Sequence, residues 1–192
     1  MIVASYNIQR GRGLDFVRRI ERAVEVLRSV DADVIGLQEV VVEPEGPRGD
    51  QLRIIADALG MKSHFASARP HGLGDYGVAI LSRTEIASVR THDISVPRME
   101  RRVVLEAETE GVRVFVCHFG LGLRERRAQA EKLRTIESTA TARSRGCTRT
   151  NVRPRIVRPT ICRSSPTSTL TPMPGWHRDV PPESVTNAGK HG

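Results

Sequence analysis

Residues 33–40 read Asp-Val-Ile-Gly-Leu-Gln-Glu-Val, and this stretch decides the fold of the 192-residue chain. Its apolar run is typical of a strand that is buried within a sheet. Glu39 stands almost directly after the run, at the point where a sheet presents polar side chains at its edge. The stretch therefore predicts a buried strand that carries one carboxylate to the edge of a sheet.

Two further segments have the same form. Residues 5–8 read Ser-Tyr-Asn-Ile and residues 117–120 read Cys-His-Phe-Gly, each after an apolar run. Phosphoester hydrolysis needs a divalent cation, a held water and donors that stabilise the developing oxyanion. A single glutamate suits Mg²⁺, while Asn7 can orient that carboxylate and His118 can donate to a phosphate. Taken alone, an asparagine or histidine beside a strand is more often structural than catalytic.

Around these segments, helices and strands first alternate, and strands then follow one another. Apolar periodicity predicts helices over residues 16–30, with Asp15 as the N-cap, over 51–59 and over 121–136. A hairpin turn is expected at Glu110-Gly111. Strands are predicted over residues 2–8, 33–42, 61–68, 76–82, 86–96, 102–109 and 111–117. This order favours an α+β layered sandwich over a doubly wound parallel sheet.

Charge divides the chain into two parts. The net charge is +8, but residues 138–192 hold nine basic and two acidic residues, which leaves residues 1–137 with 21 basic and 20 acidic ones. The total charge therefore does not argue for a nucleic-acid substrate, although a local patch can still steer a polyanion.

Residues 138–192 lack apolar periodicity and are rich in Ser, Thr and Pro. Such a segment buries too little apolar surface to offset its backbone entropy, so we expect a disordered basic tail after a domain over residues 1–137. A flexible basic tail can bind nucleic acid or a membrane surface. This one lacks interleaved aromatic residues, and its arginines are scattered rather than clustered.

The remaining features predict a cytoplasmic protein. No apolar run approaches the roughly 18 residues that cross a bilayer, and the start of the chain shows no secretory signal. Cys117, Cys147 and Cys162 are odd in number and widely spaced, which fits neither a disulfide framework nor a zinc site. We expect a monomer with no obligate protein partner.

Four segments, taken in order, resemble the first half of the endonuclease/exonuclease/phosphatase superfamily. They are Ser-Tyr-Asn-Ile-Gln-Arg-Gly from residue 5, Asp-Val-Ile-Gly-Leu-Gln-Glu-Val from 33, Tyr-Gly-Val-Ala-Ile-Leu-Ser-Arg from 76 and Val-Phe-Val-Cys-His-Phe-Gly-Leu-Gly from 114. The resemblance implies a DNase I-like four-layer α/β/β/α sandwich that hydrolyses phosphoesters with Mg²⁺, or with Mn²⁺ as the alternative. The substrate is a nucleic acid, a phospholipid headgroup or a small phosphate ester.

The resemblance also assigns roles to individual residues. It implies that Asn7 and Glu39 belong to the metal site and that His118 contacts the scissile phosphate, so that His118 and Asn7 are the expected catalytic residues. Gln9 stands where many relatives have histidine.

The expected substrate contacts lie on two later segments. Tyr76 and Gly77 fall on the Tyr-Gly segment that borders the cleft in the family. Arg101 or Arg102 falls where the family often carries an arginine that faces the phosphate, a role that suits the bidentate geometry of a guanidinium. A solvated basic cluster would show the same pattern, and the two interpretations weigh evenly.

Two segments of the family do not occur in this sequence. Relatives continue into a strand that ends in Gly-Asp-x-Asn and close with Ser-Asp-His. We therefore expect the C-terminal half of the sandwich to be missing and the phosphoesterase to be impaired or inactive. A reading frame lost near Glu137 would explain why the tail begins where the second half should. Natural evolution of a regulatory tail is the rival account.

Two alternatives to an enzyme stay open. The first is a non-catalytic protein that binds phosphate or nucleic acid through the remaining half-site and the basic tail. The second is a product that does not fold stably.

Overall fold

Strands make up most of the fold and form two sheets. A computed structural model describes residues 1–43, 45, 49–143 and 155–157 of the chain. All of them belong to one compact unit over Met1–Thr160. The strands are β1 (Ile2–Asn7), β2 (Val34–Glu43), β3 (Gly49–Asp50), β4 (Lys62–His71), β5 (Gly74–Ser82), β6 (Ile86–Asp93), β7 (Val103–Thr109), β8 (Val112–Cys117) and β9 (Arg155–Val157). The helices are α1 (Ile20–Val30), α2 (Gln51–Leu59) and α3 (Leu123–Arg143), with a short 3₁₀ turn at Gln9–Gly11.

The first sheet has the strand order β4-β5-β2-β1-β9, and β3 pairs with the end of β2. β1 and β2 run parallel, whereas β5 is antiparallel to both β2 and β4. Helices α1 and α2 cover one face of this sheet. The apolar side chains between them, among them Leu27, Leu37 and Ile55, are almost fully buried.

The second sheet, β6-β7-β8, is antiparallel and packs on the other face of the first. The two sheets approach closely at Gly36, where a Cβ atom would lie 3.1 Å from a methyl group of Val116. Helix α3 lies over the outer face of the second sheet, and Lys132 on it donates a hydrogen bond to the Ser95 carbonyl at 2.6 Å. The order helices, sheet, sheet, helix confirms the predicted α+β sandwich.

Several predicted elements are confirmed within a few residues. Helix α2 has the predicted bounds, with Gly60 in the left-handed conformation at its C-terminus. Glu110 and Gly111 join β7 to β8 with φ angles of 51° and 71°, the two positive values of a type I′ hairpin turn. Helix α3 begins two residues after its predicted start and continues to Arg143.

The predicted start of α1 is wrong. The helix begins at Ile20 and not at residue 16, and Asp15 is not its N-cap. Instead, the Asp15 carboxylate accepts a hydrogen bond from the Val17 N–H within a turn and pairs with Arg22 at 2.6 Å. Phe16 has a positive φ of 59°, a value that no helix continues through.

The structure describes two parts of the predicted tail, residues 138–143 and 155–157. The first six residues of the tail continue α3, and β9 pairs in parallel with β1 at Ile2–Ala4. The structure differs there from the prediction of disorder, because the edge of β1 offers unpaired N–H and C=O groups to a segment with two β-branched residues. Most of the tail lies outside the described residues, so the boundary at residue 137 stays a prediction.

None of the helices in the described ranges combines the length and the apolar character that a membrane span requires.

Candidate active site

Asn7, the last residue of β1, and Glu39, within β2, lie side by side. The two strands are parallel, and Asn7 is in register with Gln38. The Asn7 Nδ2 atom donates to Glu39 Oε1 at 2.9 Å, and Asn7 Oδ1 accepts from the Gln9 N–H at 2.9 Å. The amide is therefore held at both ends, and it holds the carboxylate in turn.

Glu39 reaches this position through an unusual backbone conformation. Its φ angle is 58°, and the pairing of β2 with β5 slips by one residue between Gln38 and Val40. A bulge of this kind turns a side chain that would otherwise follow the alternation of the strand. It leaves the Glu39 side chain 21% exposed, while Val40 next to it is fully buried. The bulge thus brings the carboxylate next to Asn7 at the end of β1.

His118 comes from the second sheet, directly after β8. Its Nε2 atom lies 3.8 Å from Glu39 Oε1, and Arg10 Nε lies 3.8 Å from Glu39 Oε2. Burial, together with the positive charge of Arg102, lowers the pKa of His118 below its usual value, although the Glu39 carboxylate acts in the opposite direction. A neutral imidazole can donate from one ring nitrogen and accept at the other.

A small cavity beside His118 is lined by residues from both sheets. Ala68, Tyr76, Gly77 and Val78 come from the first sheet, and Arg102, Val103 and His118 come from the second. Burial raises the pKa of the Tyr76 hydroxyl, so this group remains a proton donor. The cavity places the hydroxyl, a guanidinium and an imidazole next to the Glu39 carboxylate.

Arg102 lines this cavity and is almost fully buried. It is 8% exposed, and its Nη2 atom donates to Glu100 at 2.6 Å. The buried Nε atom has no hydrogen-bond partner among the described residues. Because an unpaired buried donor is costly, an anionic ligand that reaches this nitrogen gains a strong interaction.

Arg101 lies apart from the cavity. Its side chain is 57% exposed, pairs with Asp93 at 3.3 Å and does not line the cavity. The sequence left Arg101 and Arg102 as equal candidates for a phosphate contact. The structure brings Arg102 to the other site residues and does not bring Arg101.

Sequence reasoning missed three residues that support the site. The Arg69 guanidinium lies 4.6 Å from the centre of the Tyr76 ring and donates to Glu100 at 2.6 Å. Glu100 thereby joins Arg69 to Arg102, and Arg10 approaches Glu39 from the 3₁₀ turn. Glu100 stands directly before the two predicted arginines, a signal that was available, whereas no sequence pattern indicated Arg69.

The chemistry of these side chains fits one kind of metal ion. Within the described ranges, His, Cys, Asp and Glu residues form no group of three that would hold a metal. A zinc site needs three or four such ligands, whereas Mg²⁺ is held by one or two carboxylates and keeps waters and phosphate oxygens as its other ligands. Glu39, with the amide of Asn7 beside it, suits Mg²⁺.

Known proteins with similar sequences identify the family. The profile of the Endonuclease/Exonuclease/phosphatase family matches residues 4–182. The chain belongs to this family. It is also 30% identical over 119 residues to the "uncharacterized protein YbhP" of Escherichia coli strain K12, an alignment that covers 56% of this chain and 47% of YbhP. The chain thus spans about half the length of the curated relatives it matches.

Solved structures of this family share the fold. An endonuclease/exonuclease/phosphatase from Beutenbergia cavernae aligns with a TM-score of 0.56 and 22% identity, over 71% of this chain and 43% of that one. A family protein from Leptotrichia buccalis aligns with a TM-score of 0.53 and 15% identity, over 69% of this chain and 61% of that one. TDP2 from Caenorhabditis elegans aligns with a TM-score of 0.50 and 19% identity, over 74% of this chain and 42% of TDP2. These similarities confirm the DNase I-like fold.

Proposed function

We propose that this family member hydrolyses phosphoester bonds at the site formed by Asn7, Glu39 and His118, with Mg²⁺ or, as the alternative, Mn²⁺. The observation that carries the proposal is a carboxylate fixed by Asn7 at 2.9 Å and placed 3.8 Å from the imidazole, beside a cavity lined by Arg102, whose Nε atom has no hydrogen-bond partner within the described part of the chain. The family contains phosphoester hydrolases. The substrate and the metal ion of this chain are part of our proposal.

Each residue of the site has a separate role in this proposal. Glu39 would hold the cation, and Asn7 is a positioning residue because it fixes the carboxylate. When bound, the cation supplies positive charge that offsets the charge of the phosphate. The guanidinium of Arg102 binds a phosphate oxygen, and His118 and Tyr76 donate hydrogen bonds to the same group.

We further propose that turnover by this chain is slow. The sequence contains neither Gly-Asp-x-Asn nor Ser-Asp-His, which supply the water-activating and proton-transfer groups implied by the family resemblance. Among the described residues around the cavity, proton transfer falls to His118 and Tyr76. The substrate is a nucleic acid, a phospholipid headgroup or a small phosphate ester, and the protein acts as a cytoplasmic monomer.

Hydrolysis of bis(p-nitrophenyl) phosphate in the presence of Mg²⁺ tests the proposal. We expect a measurable rate that falls about a hundredfold or more in Glu39→Gln, since this change removes the charge but keeps the shape. The matched control is Glu85→Gln, because the Glu85 side chain is 81% exposed and makes one ion pair at 4.0 Å, with Lys62. Equal rates in the two variants would contradict the proposal.

Thermal unfolding gives a second readout that needs no turnover. Mg²⁺ should raise the Tm of the wild type and of Glu85→Gln, but not that of Glu39→Gln, because a ligand stabilises only the state that binds it. A shift that is identical in all three proteins would mean that the cation binds elsewhere.

A second candidate function is phosphate binding without turnover. It is favoured by the buried Nε atom of Arg102, which has no hydrogen-bond partner among the described residues. Calorimetry with inorganic phosphate distinguishes the two candidates. Binding that is lost in Arg102→Met, with no hydrolysis by the wild type, would support the binding protein.

A further inference from the structure

Four connecting segments surround the candidate active site, and we call them the rim. They are residues 8–19 after β1, 72–73 between β4 and β5, 94–102 between β6 and β7, and 118–127 after β8. The last segment includes the first residues of α3.

The topology brings these segments to one edge of the two sheets. Residues 8–19 follow the end of β1, which is parallel to β2, and the hairpin at 72–73 meets the end of β2, where the Leu73 N–H donates to Glu43 at 2.8 Å. The segments 94–102 and 118–127 both adjoin the end of the second sheet at which β7 begins and β8 finishes.

The rim carries most of the large apolar side chains that the fold leaves exposed. Among the described residues there are eight such side chains, and only Ile54, on α2, lies outside the rim. The others are Leu14, Phe16, Val17, Leu73, Met99, Leu121 and Leu123. Isolated apolar residues on a surface are ordinary, but an exposed group of them around a site marks an interaction surface. All four segments contribute at least one of these side chains.

Positive charge is concentrated on the same segments. The rim contains ten arginines and three acidic residues, a net charge of +7, whereas the rest of residues 1–137 contains eleven basic and seventeen acidic residues, a net charge of −6. The net charge of residues 1–137 is therefore close to zero only because the positive charge of the rim and the negative charge of the remaining residues cancel. A surface that combines exposed apolar side chains with arginines is complementary to a partner that is both anionic and apolar.

We propose that the rim docks on the surface of an anionic lipid bilayer. Arginines attract anionic headgroups, and apolar side chains at loop tips gain free energy by entering the boundary between headgroups and acyl chains. Six of the seven apolar side chains are aliphatic, with Phe16 the one aromatic. Single-stranded nucleic acid is held by stacking on aromatic rings, so this composition favours lipid over nucleic acid.

Flotation with lipid vesicles tests the docking surface. The full chain is mixed with vesicles of phosphatidylcholine containing phosphatidylglycerol, and with vesicles of phosphatidylcholine alone. We expect binding to the anionic vesicles that weakens as salt is added and that falls about tenfold or more in the double variant Leu73→Ser/Leu121→Ser. Neither leucine is among the residues that line the cavity of the candidate active site. Ile54→Ser is the matched control and should bind like the wild type, with circular dichroism verifying that both variants fold.

Four results would overturn the proposal. One is no binding to anionic vesicles at low salt. Another is equal binding by the double variant and Ile54→Ser, because the basic residues of 138–192 would then account for the attraction. A third is self-association in sedimentation that the double variant abolishes, which would assign the rim to a second copy of the chain. The last is tighter binding to a single-stranded oligonucleotide than to vesicles, with the same dependence on the two leucines.

The docking proposal and the catalytic proposal fail separately. Vesicle binding is measured without turnover, and hydrolysis is measured on a small substrate without lipid. Glu39→Gln should therefore leave flotation unchanged, and the double variant should leave hydrolysis of bis(p-nitrophenyl) phosphate unchanged.

Discussion

Glu39 shows at the scale of one residue how the site is made. A residue other than glycine at a φ of 58° carries a strain of about 1 kcal/mol or more, and such strain persists where the surrounding structure determines the conformation. Pairing of β2 with β5 on both sides of the bulge provides that constraint. The strained backbone and the exposed carboxylate are therefore two parts of one feature.

Replacing Glu39 separates the strain from the charge. Glu39→Ala and Glu39→Gly both remove the carboxylate, and both should lose hydrolysis. We expect the glycine variant to be more stable than the alanine variant by about 1 kcal/mol, because glycine adopts positive φ without a steric penalty. Urea unfolding measures the difference. If alanine proved the more stable, as it is in ordinary strands, the backbone at position 39 would not be left-handed.

Cys117 provides a second prediction for a single residue. Burial raises the pKa of its thiol, so the native protein holds less reactive thiolate than an ordinary cysteine, whose pKa is about 8.5. In a chain with Cys147→Ser and Cys162→Ser, we expect alkylation at pH 8 to be slower in the native protein than in urea. The alkylation rate of the native protein should still rise with pH in a range where the rate in urea no longer changes. Equal profiles would show that the fold does not shield the Cys117 thiol from solvent.

At the scale of elements, the β4–β5 hairpin holds one side of the cavity. A Cβ atom at Gly77 would lie 2.0 Å from the Ala66 carbonyl oxygen on β4. The close approach of backbone to backbone explains why a glycine follows Tyr76, and it places the ring under Arg69. The Tyr-Gly pair thus contributes to the packing of the hairpin.

Alanine substitution tests this contact. Gly77→Ala should destabilise the protein by about 2–4 kcal/mol, since the clash involves backbone atoms that cannot turn away. The control is Gly111→Ala, where a Cβ atom meets nothing within 4 Å and the cost is the positive φ of 71° alone, about 1–2 kcal/mol. Thermal and urea unfolding compare the two variants. Similar losses of unfolding free energy in the two variants would mean that β4 and β5 are further apart than in the structure.

At the scale of the whole molecule, the site exists because two sheets meet. Asn7, Glu39 and Tyr76 belong to the first sheet, whereas Arg102 and His118 belong to the second. The close packing at Gly36 sets the distance between the sheets and therefore the 3.8 Å between imidazole and carboxylate. Neither sheet contains a complete site.

The edge of the first sheet offers a test of long-range order. Because β9 pairs with Ile2–Ala4, Ile156→Pro should break this pairing: proline has no N–H to donate and fits poorly inside a strand. We expect faster hydrogen exchange at the β1 amides than in the control Ile156→Val, measured by mass spectrometry. Equal exchange in the two variants would mean that β9 does not protect β1.

Much of this fold was predictable from local patterns. The apolar runs located the strands, Glu110-Gly111 located a hairpin turn, and the segments around Asn7, Glu39 and His118 indicated the family. The start of α1 was not predictable from periodicity, since Asp15 and Arg22 form a local ion pair that competes with a helical cap. The network of Arg69 with Glu100 was missed because residues 31 positions apart meet only after folding.

The order of the longer helices and strands, the family and the polar residues Asn7, Glu39 and His118 followed from the sequence by itself, because these depend on the identities and spacing of nearby residues. The short strands β3 and β9 did not follow from it. Only the tertiary structure decided that Arg102 and not Arg101 lines the cavity. Neighbouring side chains leave an extended chain in opposite directions, and which of them faces inward depends on how the second sheet packs on the first. The same packing gathered seven separate apolar side chains and ten arginines into one rim.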